Sequence, residues 1–516
     1  MEDETLKDCF TESFTTRSDK PALTFLKNGK VETELSYREL DHDSNRMANR
    51  FLNLEVEKGD RVILFIKKSL VFVVAHIALQ KIGAIAVPLN PGFKKSELEY
   101  LLQDAEAKLI LSEADSIKLV QEIDSKLSTL IIDTQKPYQE IDFFRSDSEL
   151  PPGIDITPDD AGLIIYTSGT TGNPKGAVLT HKNLVHDARN IIKIWEIEAS
   201  DVLCHALPLF HVHGLCFALH TCLIAGSHVL MLDQFSPKQV VNVLSQNQGP
   251  WVCSVFMAVP SMYAKLLDTI GDKKLDFSHM RLWTSGSAPL LARDFARIRD
   301  VFGKEPVERE GMSETGMNFS NPVRGIRKPG SIGIPLPALD VRIVEPETGV
   351  DVKRGQTGEF WLKGPAVTTG YWRKPEETAN AFTQSWFRTG DLGNVDEDGY
   401  YYLTDRIKHI IISGGENISP KEVEAVINQI EGVVESSVVG IEDQKWGEKV
   451  VAAVVKKSDV NINPDDIKTY CKKHLHDWKC PKEITFVNEL PRNTMGKVLK
   501  DEVKRILKNV CCPLSY

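Results

Sequence analysis

Short apolar runs alternate with helical patterns along most of this chain, and that alternation limits its fold more than any other feature. RVILFI (Arg61 to Ile66) reads as a buried strand, followed by a helical stretch from Leu70 to Ile82 and by AIAVPLNP, a strand from Ala84 that ends in a turn. The pattern recurs at KLIL from Lys108, TLIID from Thr129 and GLIIYT from Gly162. Apolar strands separated by helices belong in sheets covered on both faces, which predicts an α/β architecture.

After about residue 330 the texture changes to short strands and glycine turns, a β-rich subdomain. Asp398-Gly399 between two strand-like runs predicts a hairpin. Ser419 as cap, Pro420 at the first position and Glu422 completing a capping box predict a helix. ESSVVGI, VVAAVV from Val450 and a lysine-bearing helix from Asp465 follow. The expected division is a large N-terminal α/β domain over 1–405 and a small α+β domain over 406–516, joined at Asp405 to Lys408.

A length of 516 residues suits roughly three domains, or one large and one small. A net charge of −10 argues against an electrostatic grip on nucleic acid or anionic membrane. The run Leu70 to Leu79 is broken by His76 and is too short to span a bilayer; Leu203 to Leu232 carries five histidines and reads as core. The opening MEDETLKDCF has no apolar core and is not a secretory signal. Nine scattered cysteines fit neither a zinc site nor a disulfide framework, so a reducing cytoplasm is expected.

The sharpest local signal is YTSGTTGNPKGAVLTH, Tyr166 to His181, directly after the strand Leu163 to Ile165. Gly169 and Gly172 allow close backbone approach, Thr167, Ser168, Thr170 and Thr171 supply hydroxyls, and Lys175 adds a positive charge. Such dense donors suit a polyphosphate. Lys175 is followed by Gly176 rather than Ser or Thr, so this is not a Walker A loop.

This string resembles the signature of the adenylate-forming superfamily, which includes acyl-CoA synthetases, luciferases and the adenylation domains of peptide synthetases. GSAPL (Gly286 to Leu290), GMSETG (Gly311 to Gly316), GYW (Gly370 to Trp372), WFRTGDLG (Trp386 to Gly393), DRIKHIIISGGENISPKEVE (Asp405 to Glu424) and PRNTMGKV (Pro491 to Val498) continue it in the family's order, over nearly the whole chain.

The resemblance implies that a carboxylate attacks the α-phosphate of ATP to give an acyl adenylate and pyrophosphate, and that a thiol then displaces AMP. Two anions meet in the first step, so positive charge and oriented donors are required. Lys497 matches the lysine that neutralises this charge. Alone, a lysine after a glycine turn is ordinary solvated surface; the motif series gives it its role. Glu314 matches the glutamate that helps hold Mg²⁺, a cation that wants hard oxygen ligands. Asp391 matches the acceptor of the ribose hydroxyls, and Arg406 resembles the arginine that meets the same ribose. The nucleotide pocket implied also takes in Gly286, Ala288 and Pro289 with Gly311, Met312 and Ser313. Lys408 falls at the family's hinge, about which the small, mobile domain presents Lys497 for adenylation and then Gly414, Gly415 and Glu416 for the thiol step.

One position departs from the pattern. The residue before GMSET is usually an aromatic that stacks on adenine, and here it is Glu310. Losing a base–aromatic stack costs roughly 1–3 kcal/mol.

HALPLFHVHGL, His205 to Leu215, is expected to line the acyl pocket, with His211 where an amino-acid-activating enzyme places an aspartate. His213 is the weaker candidate, and no histidine-carboxylate set completes a metal site. HALPLFHVHGL, GSAPLL and MNFSNP (Met317 to Pro322) resemble malonyl-CoA synthetases, which need a cation for the distal carboxylate; Arg281, Arg309, Arg324 and Arg327 are the candidates. RKPGSIGIPLP resembles fatty acyl-CoA synthetases, so short dicarboxylates or other short acids, longer fatty acids and aryl acids all remain open.

The leading expectation is an ATP-dependent acid:CoA ligase with ATP, Mg²⁺ and coenzyme A as its small-molecule partners. Transfer of the adenylate to a carrier protein, a luciferase and a non-catalytic nucleotide-binding regulator are the alternatives. Lys497, Glu314 and Asp391 speak against the regulator, and Glu310 speaks slightly for it.

Overall fold

The computed structural model describes residues 4–167, 173–444, 446–458, 460–493 and 496–511; Ser168, Gly169, Thr170, Thr171 and Gly172 of the phosphate-loop string lie outside the described residues. The chain forms two compact units, Met1–Asp340 with Leu362–Phe387, and Val341–Trp361 with Arg388–Tyr516.

The first unit holds two large sheets. One has seven strands in the order Gly370–Tyr371, Lys175–Thr180, Ala161–Thr167, Ile85–Pro88, Arg61–Phe65, Leu109–Glu113 and Ser128–Ile132. The last five of these are mutually parallel, and they are the apolar runs expected from the sequence. The other sheet has nine strands, with Val307–Met312, Leu282–Ser285, Val255–Ala258, Val202–His205, His228–Leu232 and Pro21–Lys27 parallel at its centre.

The helix Leu70–Ile82 is buried at every position. Ser69 caps its first turn by accepting from the Phe72 amide at 3.4 Å. A mostly apolar helix covered on every side belongs to the core, and its polar Gln80 and Lys81 donate there to the Gly162 carbonyl and to Asp41 and Asn45, respectively. Its one histidine, His76, meets His220 at 2.7 Å between Nε2 atoms.

Trp386–Val395, most of which lies in the second unit, and Tyr401–Arg406 form the hairpin expected at Asp398-Gly399. A separate sheet runs Glu416–Ile418, Ile411–Ser413, Gly447–Lys456 and Val433–Asp443, with Glu483–Phe486 parallel to Gly447–Lys456. Val423, Ile427, Val438, Val450 and Ile467 form its core against the helices Pro420–Ile427 and Pro464–His474.

The capping box expected at Ser419 does not form. Pro420 does open the helix, but the Ser419 hydroxyl donates to Asp405 Oδ2 at 2.8 Å instead of capping, and Glu422 pairs with Lys479. Asp405 is buried and lies next to the start of this helix, where it also accepts from the Lys421 amide at 3.0 Å. A long-range carboxylate has taken over the role of the local hydroxyl. Among the described residues no helix is long and apolar enough to cross a membrane.

Candidate active site

In the nine-stranded sheet the parallel strands Val202–His205, Leu282–Ser285 and Val307–Met312 carry their carboxyl ends to the same edge, the position where open α/β sheets bind ligands. HALPLFHVHGL and GSAPL leave from the first two, and GMSETG begins in the third. Gly286 must be a glycine here: a Cβ would lie 2.6 Å from Arg309 Nε. Ser287 follows in the left-handed region at φ +67°, its hydroxyl 3.3 Å from His213 Nδ1. Backbone strain of this kind is held in place only where surrounding structure fixes it. Ala288 is half-buried and Pro289 is exposed as the turn leaves for the helix Ala292–Phe302.

His213 opens a short π-helix, His213–His220. It is fully buried and therefore held well below the ordinary imidazole range, with the Arg309 charge adding to the effect. His211 is half-buried, packs 4.7 Å from Phe210 and is lowered by burial to about 4. Both rings are neutral near pH 7. His213 touches the GSAPL turn through Ser287. No cluster of three or more His, Cys, Asp or Glu side chains among the described residues is arranged to hold a metal.

Gly311, Met312 and Ser313 run half-buried from the end of the strand. Glu310 pairs in register with Phe319, and its Oε2 accepts from Asn318 Nδ2 at 3.0 Å. Next in sequence, Glu314 is buried. Its Oε1 accepts from the Thr167 hydroxyl at 3.3 Å and the Tyr371 hydroxyl at 3.2 Å. Thr167 and Lys175 stand opposite one another in the antiparallel pair Ala161–Thr167 and Lys175–Thr180, and Lys175 Nζ lies 5.3 Å from the Tyr371 ring centre. Burial and the Glu314 charge push the Tyr371 phenol up, so it stays a proton donor to that carboxylate.

The second unit gathers the remaining motif residues. Asp391 is buried and stands opposite Arg406 in the hairpin, with Arg406 Nε 2.6 Å from Oδ1. Lys497 is exposed as a residue, but its ammonium is desolvated and lies near Arg406, Lys408 and Lys421, with Asp391 opposing them; it falls to about 8. Gly414 and Gly415, at φ +62° and +87°, form the two-residue turn between Ile411–Ser413 and Glu416–Ile418. Two consecutive positive φ angles are why this turn takes glycine twice, and the turn leaves Glu416 exposed.

The four candidate arginines separate cleanly. Arg281 binds Asp201 Oδ1 through Nε at 2.6 Å and the carbonyls of Trp195 and Glu196. Arg324 is exposed and bonds Glu196. Arg327 is spent on the carbonyls of Pro322, Glu305 and Val323. Arg309 is buried, and none of its three guanidinium nitrogens has a hydrogen-bond partner among the described residues. It lies 5.1 Å from the Phe217 ring centre, and desolvation lowers it to about 10, so it remains charged at neutral pH. Such a group, unless a ligand completes it, costs several kcal/mol.

A profile of the family described as AMP-binding enzyme matches residues 10–372, and that of the AMP-binding enzyme C-terminal domain matches 422–497. The chain belongs to the AMP-binding enzyme family. It is 34% identical to the mitochondrial malonate–CoA ligase of Mus musculus, over 92% of this chain and 87% of that one. It is 32% identical to a long-chain-fatty-acid–CoA ligase of Bacillus subtilis, over 97% and 94%. ATP-bound MatB from Rhodopseudomonas palustris superposes with a TM-score of 0.91 at 35% identity, covering 98% of this chain and 100% of that one. This AMP-binding enzyme is an acid–CoA ligase that works through an acyl adenylate and uses ATP and CoA.

Two residues of this family member carry no sequence signal strong enough to single them out. Tyr371 stands inside the GYW motif, but nothing local marks its hydroxyl as a partner of Glu314. Asp187 is buried on the helix His181–Trp195, among Leu184, Ala188 and Ile191. An acid within the apolar positions of an amphipathic helix is the one signal available for it.

Proposed function

We propose that the acid is a short dicarboxylate, malonate first, and that Arg309 receives its distal carboxylate. The observation that carries this reading is the buried guanidinium with no hydrogen-bond partner among the described residues, at the strand ends where the acyl-pocket loops begin. A planar cation with this many unused donors matches a carboxylate in geometry as well as charge. His213 and Ser287 shape the same pocket as neutral groups.

Glu314 is the residue to hold Mg²⁺: Thr167 and Tyr371 orient its Oε1, and a carboxylate beside a hydroxyl suits a hard cation. The ion supplies charge neutralisation on the phosphates when bound. Lys175 and the Thr167–Gly172 loop cradle those phosphates, and Gly286 to Pro289 with Gly311 to Ser313 line the nucleotide. Asp391, already oriented by Arg406, accepts from the ribose diol. Lys497 stabilises the charge that develops as the carboxylate attacks the α-phosphate, and AMP leaves when the CoA thiol attacks. The hinge is at Lys408, in the turn Ile407–His409 directly after the strand Tyr401–Arg406, and 406–516 is the part that moves. It brings Gly414, Gly415 and Glu416 forward for the thiol step. The compartment is the cytoplasm, on the strength of the scattered cysteines.

The test is ATP consumption with CoA and Mg²⁺ across acetate, malonate, succinate, octanoate, palmitate and benzoate. The expected result is a preference for malonate. Preference for octanoate or palmitate refutes the dicarboxylate reading in favour of a fatty acid.

A further inference from the structure

Asp187 is a buried carboxylate outside the motif series that lines a cavity beside Phe217. It lies on the helix His181–Trp195 and is buried. Its Oδ1 accepts from the Met317 amide at 2.8 Å. It lines a cavity with Leu184, Cys216, Phe217, Ser313 and Gly316, and Phe217 is the ring against which Arg309 lies. The charges of Asp187 and Arg309 act on one another, although they form no direct ion pair among the described residues. The other groups facing this region are the Cys216 thiol, pushed well above its usual range by burial, neutral His213, and Glu310 beside Arg309. Among the described residues, the strand Gly316–Ser320 offers Asp187 the Met317 backbone amide.

Two carboxylates cannot share one buried guanidinium without mutual repulsion, and in a low dielectric the weaker acid yields by taking a proton. We propose that Asp187 is a specificity-determining counter-charge to Arg309: a dicarboxylate binds there together with one proton from solvent, which neutralises Asp187. This inference rests on the dicarboxylate reading above. Burial already raises the Asp187 carboxyl to about 7, against the Met317 amide and Arg309, which pull it down. The empty site is therefore mostly protonated below that pH and mostly ionised above it. Malonate then meets a neutral Asp187 at low pH and must drive proton uptake at high pH. A monocarboxylate leaves Arg309 without a second anion and carries no such requirement.

The experiment measures KM for malonate and for butyrate against pH, in the wild type and in Asp187→Asn. The carboxamide keeps an oxygen for the Met317 amide and carries no charge. In the wild type KM for malonate should rise roughly tenfold per pH unit above about 7, the slope for one linked proton. Asp187→Asn should flatten that rise, and butyrate should be flat in both. A second measurement needs no variant. Calorimetry of malonate binding to the wild type without ATP, at about pH 8 in two buffers of different ionisation enthalpy, should show uptake of about one proton. A flat malonate profile in an enzyme that turns malonate over, or a slope retained in Asp187→Asn, overturns the role of Asp187 and leaves the dicarboxylate reading standing. An enzyme that turns over butyrate and not malonate overturns both.

Discussion

Replacing Arg309 by methionine is the most informative perturbation of this enzyme. Methionine keeps an unbranched chain against the Phe217 ring and removes only the charge and its donors. Removing one partner of a buried charged pair costs about 2–5 kcal/mol of binding. At about 1.4 kcal/mol per tenfold, kcat/KM for malonate should fall roughly 30- to 4,000-fold. Stability should respond in the opposite sense. In the free enzyme Arg309 is buried without a hydrogen bond among the described residues, and replacing such a charge by an apolar group of similar volume is neutral or stabilising. Arg309→Met should therefore melt at or above the wild-type temperature while losing malonate activity, and its kcat/KM for butyrate should fall far less. The assay pairs a thermal scan with coupled AMP-release kinetics on both acids. A lower melting temperature with equal losses on malonate and butyrate would refute the reasoning, because it would mean that Arg309 holds the fold and not the acid.

Lys497→Ala should abolish pyrophosphate exchange yet spare thioester formation from supplied acyl-AMP; equal loss of both half-reactions would remove Lys497 from the adenylation step. Because its amine is lowered to about 8, the charged form is present below that pH and lost above it. kcat/KM for ATP should accordingly decline through pH 8, and Lys497→Arg should move the decline to higher pH. Tyr371→Phe deletes one of the two donors that orient Glu314 Oε1 and should raise the Mg²⁺ concentration for half-maximal rate several-fold, about 1 kcal/mol, with little change in KM for the acid. Glu310→Tyr should lower KM for ATP if an aromatic face is what the pocket lacks, by up to the roughly 1–3 kcal/mol of a base stack; an unchanged KM would place adenine against other groups.

Elements with strong local signals are legible in the order of residues alone. The helix Leu70–Ile82 is marked by its length and mostly apolar composition, and the strands Arg61–Phe65, Leu109–Glu113 and Ala161–Thr167 by short apolar runs bounded by turns. The hairpin at Asp398-Gly399 follows from turn chemistry alone. The cap at Ser419 fails for the opposite reason: a capping box is a local rule, and Asp405, distant in sequence, supplies a stronger acceptor at the same helix start. Motif order carries the reaction class, because adenylation needs the same charged and hydroxyl groups wherever the scaffold presents them.

What the sequence determined by itself was the α/β architecture, read from alternating apolar runs and helical patterns, while the resemblance of its motifs to the adenylate-forming superfamily implied the acyl-adenylate chemistry and the groups proposed to perform it. It could not choose among Arg281, Arg309, Arg324 and Arg327. That choice turns on which guanidinium lacks a hydrogen-bond partner among the described residues, and an ion pair such as Arg281 with Asp201 joins residues far apart in the chain. Only packing brings Asp201 to Arg281, leaves Arg309 buried against Phe217 and sets Asp187 within its field. Burial and pairing are properties of three-dimensional neighbours, and so the reaction class was legible in the motifs while the group proposed to select the acid could be picked out only in the tertiary structure.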